Sequence, residues 1–165
     1  MTVREILDDT MEGWRRERPD LDLDAMGSAL RLSQLMNLGV NATDKVFAPH
    51  RITVGEFDVL AALRRGGAGT ALTPTTLARV SMVSPSGMTN RLDRLETAGL
   101  IVRRPDPDDR RGSLVELCAA GVEVADRAIE DVCAAQTAMF EILSPVDRQR
   151  LNRMLDRLIE HLDPS

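Results

Sequence analysis

LTPTTLARVSMVSPSGMTNRLDRLETAGLIVRRPDPDDRRGSLVELCAAG, residues 72–121, is the stretch whose reading decides the fold. Thr73-Pro74 is a helix start, with threonine as N-cap and proline at the first helical position, where its missing N–H is not needed. Leu77, Ala78 and Val80 give that short helix an apolar face. After the turn Ser81-Met82-Val83, Ser84-Pro85 repeats the same start, and Met88, Leu92 and Leu95 recur at helical spacing. Gly99 is placed to stop this second helix in the left-handed conformation. Two β-branched-rich runs follow, Leu100–Arg104 and Ser113–Leu117, with the proline-stiffened PDPDDRRG tip between them. Two short helices joined by a tight turn and followed by a hairpin read as a winged helix-turn-helix.

Helices are predicted on both sides of it. Thr2–Glu17 is amphipathic, with Val3, Ile6, Leu7, Met11 and Trp14 on one side. RPDLDLD, residues 18–24, interrupts the pattern, and Ala25–Phe47 resumes it up to Ala48-Pro49. In Thr53–Arg65, Thr53 and Glu56 stand at capping-box spacing. Gly66–Gly69 is a loop. Gly121–Leu143 is a long helix, and Ser144-Pro145 opens the last one, with Leu151, Leu155, Leu158 and Leu162 along one face. The predicted fold class is mainly α with a small β-hairpin wing. Residues 1–18 form an extra N-terminal helix, 20–50 and 119–165 the long flanking helices, and 53–118 the winged lobe, within a single structural domain.

Composition narrows the function. A chain of 165 residues suits one domain with a real core. The aromatics are only Trp14, Phe47, Phe57 and Phe140, so that core is aliphatic. The net charge of −5 excludes a polycationic coat but permits a local basic surface. Residues 73–113 hold seven arginines against five acids, so the basic character is concentrated there. MTVREILDDT has no apolar signal region, and the longest uncharged run, Gly66–Ala78, is rich in Gly, Thr and Pro, so a cytoplasmic protein without a membrane partner is expected. Cys118 and Cys133 make no disulfide framework and, with only His50 and His161 beside them, no metal cluster. Both are expected to be small apolar fillers. No cofactor is expected, and no catalytic triad, metal set or phosphate loop points to an enzyme.

The polar residues of the second helix suit double-stranded DNA. Ser84, Ser86, Gly87, Thr89, Asn90 and Arg94 place small hydroxyl, amide and guanidinium groups near a helix N-terminus, where base edges and phosphates are reached. Thr73 and Pro74, at the start of the first helix, are assigned to the same interface. At the wing tip, Asp108 and Asp109 are suited to orient Arg110 and Arg111, with Arg110 the candidate for a narrow minor groove.

Residues 72–121 closely resemble the winged-helix core of MarR-type transcription regulators, most specifically in RLETAGLI and DPDDRR. Cys118 departs from the pattern, since many members carry a capping Thr there. The resemblance implies a homodimer, held by the terminal helices, that binds a pseudo-palindromic operator. The N-terminal EGWRRERPDLD is similar to the branch that responds to urate, related purines or trans-aconitate. That resemblance implies a ligand site of Trp14, Asp58, Arg91 and Arg103: a flat ring with an N–H donor, a carboxylate that an incoming anion repels, an arginine on the recognition helix, and a guanidinium fork for the anion. The leading expectation is therefore a repressor released by a small anionic effector. The alternatives are a redox-sensing regulator of the same fold and a non-DNA-binding helical interaction protein.

Overall fold

The computed structural model describes residues 1–81, 85–107, 109 and 112–163, with the backbone alone for residues 41–44, 85 and 86. It comprises two compact units, Met1–Lys45 and Val46–Ser165.

In the first unit, helix α1 (Val3–Glu17) starts on a capping box. The Thr2 hydroxyl accepts the Glu5 amide at 3.2 Å, and the Glu5 carboxylate accepts the Thr2 amide at 2.7 Å. Helix α2 (Asp24–Phe47) packs on α1 through Gly27, which lies under the buried Met11, and through Arg31, which reaches Asp8 at 3.3 Å.

The second unit holds a 3-10 turn (Ala48–His50), α3 (Val54–Arg65), β1 (Ala71–Leu72), α4 (Pro74–Val80), α5 (Pro85–Thr97), β2 (Ile101–Pro105), β3 (Ser113–Leu117), α6 (Ala119–Phe140) and α7 (Pro145–Leu162). Local capping signals place these helices. Thr53 and Glu56 form the capping box of α3, Thr73 accepts the Thr76 amide at 3.1 Å, and Ser144 accepts that of Asp147 at 3.1 Å. At the end of α5, Gly99 adopts φ 70°. Its N–H reaches the Glu96 carbonyl and the Leu100 N–H that of Leu95, which is a Schellman motif.

The predicted hairpin is part of a larger sheet. Three antiparallel strands run in the order β1-β3-β2, with Arg103 opposite Val115 and Leu72 on the other side of the same valine. Leu60 and Leu63 of α3, Leu77 of α4, Met88, Leu92 and Leu95 of α5, and Val115 of β3 form one buried cluster. Each such side chain contributes about 1.5–3 kcal/mol on burial. Ala125, Ala128 and Val132 close the cluster from α6.

Helix α6 begins two residues before the predicted Gly121. Cys118 is its N-cap and makes no side-chain cap bond, but its N–H donates to the Leu100 carbonyl at 3.0 Å. Gly121 passes so close that a Cβ there would lie 1.9 Å from the same oxygen. Arg64 grips Asp126 with two bonds of 2.6 and 3.1 Å, and His50 Nε2 lies 2.7 Å from Asp131, so α6 is tied to the lobe at two points.

The cysteine expectation fails on burial. Cys118 is only half-buried, and Cys133 is exposed, lining a groove of about 310 Å³ between α6 and α7. The C-terminal part of the α7 apolar stripe is also uncovered, with Leu158 51% and Leu162 79% exposed, while Leu151 and Leu155 are half-buried. No helix among the described residues is long and apolar enough to cross a membrane.

Candidate nucleic-acid interface and effector site

Because Met88, Leu92 and Leu95 face the core, α5 turns Thr89, Asn90 and Arg94 outward. Gly87 is half-buried in its first turn. Ser84, Arg110 and Arg111 lie outside the described residues, as does the side chain of Ser86. Thr73 and Pro74 sit at the N-terminus of α4, where the Thr73 hydroxyl already accepts the Thr76 amide. That bond fixes the helix start.

The arginines of the lobe divide into two groups. Arg104 Nε lies 3.1 Å from Glu116, a diagonal neighbour across the sheet, and Arg103 is held by α5. Its Nη2 bonds Asp93, its Nε lies 3.4 Å from Glu96, and its backbone N–H reaches Glu96 at 3.3 Å. Arg79 and Arg94 are exposed and make no ion pair with described residues. Arg79 and Arg94 therefore both contribute to the basic surface of the lobe. Sequence reasoning passed over Arg79 as a site residue, although its place in the last turn of the first helix was a usable signal.

Arg91 points the other way. Its guanidinium lies against Gly55 in the first turn of α3, and its Nη1 is buried with no hydrogen-bond partner among the described residues. One turn along α3, the half-buried Asp58 makes no hydrogen bond or ion pair with described residues. Desolvation pushes its carboxyl above the usual carboxylate range, against the opposing pull of the Arg91 and Arg65 charges. Asp58, Arg91 and Arg65 are thus electrostatic neighbours, and Arg103 is engaged separately by Asp93 and Glu96. Trp14 stands on α1 with 45% of its surface exposed.

The raised Asp58 value has a definite sign. The folded state holds this proton more tightly than the unfolded chain, so stability from Asp58 is full below the ordinary carboxylate range and is lost as pH rises through the raised value. Asp58→Asn is expected to stabilise the protein at pH 7 and to change nothing at strongly acid pH. Urea denaturation at both pH values checks this; a less stable variant at pH 7 would show that the ionised carboxylate is needed.

A family model described as MarR family matches residues 51–112. The HTH-type transcriptional regulator PecS of Dickeya dadantii (strain 3937) is 36% identical over 154 residues, covering 93% of each chain. The chain belongs to the MarR family. It shares that family's winged-helix fold, and its relatives are DNA-binding transcription regulators rather than enzymes. Among solved MarR-family structures, AbsC of Streptomyces coelicolor superposes with a TM-score of 0.76 at 26% identity, covering 88% of this chain and 99% of AbsC. A cysteine-to-serine variant of Escherichia coli MarR in complex with operator DNA gives a TM-score of 0.69 at 26% identity, covering 82% of this chain and 99% of that one.

Proposed function

We propose that this MarR-family chain is a cytoplasmic homodimeric repressor, released from a pseudo-palindromic operator by a small planar anion such as urate, a related purine or trans-aconitate. The observation that carries this reading is the double attachment of α5: Arg91 lies inward beside Asp58, and Asp93 with Glu96 holds Arg103. An anion drawn to either guanidinium acts directly on the helix that bears Asn90 and Arg94. At Arg103 it must compete with α5's own carboxylates, so capture of the anion loosens the base of the wing from the recognition helix. At Arg91 it meets Asp58, a like charge with few local bonds to hold it.

The exposed α7 stripe supports pairing through the terminal helices. A dimer of this kind presents its two recognition helices to successive major grooves about 34 Å apart. On DNA, the proposed contacts are those of Asn90, Arg94, Thr89 and Gly87, with Thr73, Pro74, Ser84, Ser86, Arg110 and Arg111 carried over from the sequence.

Urate is the first effector to try. A coupling of about 1–3 kcal/mol weakens operator binding roughly 5- to 150-fold. Asp58→Asn and Arg103→Ala should each remove most of that effect in a fluorescence-anisotropy titration. Equal weakening in the wild type and both variants would place the effector elsewhere. For Trp14 the support is the resemblance and the exposure of its ring, and quenching of its fluorescence by urate tests that assignment.

A further inference from the structure

We infer that Gly55 is the seat of Arg91: with no side chain at this position of α3, the guanidinium of the recognition-helix arginine rests on the α3 backbone, turned in toward Asp58. A Cβ built on Gly55 would lie 2.5 Å from Cζ and 2.6 Å from Nη2 of Arg91, with Nε closer still. Three guanidinium atoms at nearly equal range mean that the planar group occupies the space of the missing methyl. All three nearest atoms to that Cβ belong to Arg91, so a methyl there must displace this side chain.

Shape helps to hold Arg91. Its Nη1 is buried without a hydrogen-bond partner among the described residues. The N-terminus of α3 carries partial positive charge and opposes a guanidinium. Glu56, next in sequence, is buried and committed to Thr53 in the capping box. One attraction is the charge of Asp58, three residues beyond Gly55 and hence on the same helix face. A cation fitted by shape, with one buried nitrogen unbonded among the described residues and a carboxylate nearby, is one that a modest charge change can unseat. Gly55 is therefore a positioning residue that keeps Arg91 connected to Asp58. Its role on DNA release rests on the proposed effector reading, but its role as a seat does not.

The test is a carbon-detected NMR titration of the Asp58 carboxyl in wild type, Gly55→Ala, Arg91→Ala and the double variant. The methyl should unseat the guanidinium, so Gly55→Ala should move the Asp58 titration to higher pH, in the same direction as Arg91→Ala. In the double variant the methyl should add no further shift. Such non-additivity is foreign to a helix-propensity effect, since Gly→Ala within a helix ordinarily stabilises it without touching a neighbouring titration. An unchanged titration in Gly55→Ala, or a methyl shift of equal size when Arg91 is absent, overturns the seat. Should Gly55→Ala fail to fold, the double variant must fold, because its clash is gone; failure there also overturns it. The effector arm is read separately: urate should weaken operator binding by the wild type and lose that effect in Gly55→Ala. If the wild type ignores urate while the Asp58 shift is found, the effector reading fails and the seat stands.

Discussion

Gly121→Ala is expected to destabilise the protein by about 2–3 kcal/mol, the cost of forcing an extra methyl into a packed site. The melting temperature should fall by roughly 4–12 °C, at about 2–4 °C per kcal/mol for a chain of this size. The atom in the way is a backbone carbonyl, that of Leu100, only 1.9 Å from where the methyl carbon would stand. A flexible side chain could move aside, but this oxygen cannot. It is fixed by the α5 C-terminal motif on one side and accepts the Cys118 N–H on the other. Cys118 offers no side-chain cap, so that backbone bond is what secures the start of α6. Gly13→Ala is the control, because its site is open and lies within α1; it should gain about 0.5–1 kcal/mol. Thermal melts of both variants decide the matter. An unchanged melting temperature for Gly121→Ala would mean that α6 does not start against Leu100.

Arg94→Ala is expected to weaken operator binding by about 1–3 kcal/mol, roughly 5- to 150-fold, and Asn90→Ala by a similar amount if its amide reads an adenine edge. Both residues are exposed on the face of α5 opposite Met88, Leu92 and Leu95, so neither substitution disturbs the core. Salt dependence separates their roles. A lost phosphate contact lowers the slope of log affinity against log salt by about one, while a lost base contact leaves the slope and relaxes sequence preference. Arg104→Ala serves as the comparison, since its charge is already spent on Glu116 at 3.1 Å. Operator binding that survives loss of both Asn90 and Arg94 would remove α5 from the interface.

Local signals made most of this fold legible before any coordinates. Caps are written within four residues, so Thr53, Thr73 and Ser144 each announced a helix start that the structure contains. Gly99 announced a stop in the same way. Strand β1 gave no such warning: two residues show no periodicity, and their pairing with β3 spans more than forty positions. The start of α6 was misplaced for a related reason. Ala119-Ala120 is compatible with helix or loop until Cys118 is seen bonded to Leu100. Cys133 was read as a filler from residue type, yet burial depends on what packs beside it, and here it lines an open groove between α6 and α7.

The candidate site was legible as residue types but not as connections. Asp58 and Arg91 are electrostatic neighbours, as the family resemblance implies. The grip of Asp93 and Glu96 on Arg103 was hidden, because it needs β2 to run beside α5 in the observed register. Gly55 was hidden more completely. A glycine in the first turn of a helix carries no sign of a guanidinium from a helix more than thirty residues later.

The most direct test of the account is one anisotropy titration. A duplex selected by the protein from a random pool is titrated with dimer in the presence and absence of saturating urate, and again with xanthine and trans-aconitate. Binding is expected to be tight without effector and weakened roughly 5- to 150-fold by at least one of the three anions. Superimposable isotherms with all three would contradict release by a planar anion acting through Asp58, Arg91 and Arg103.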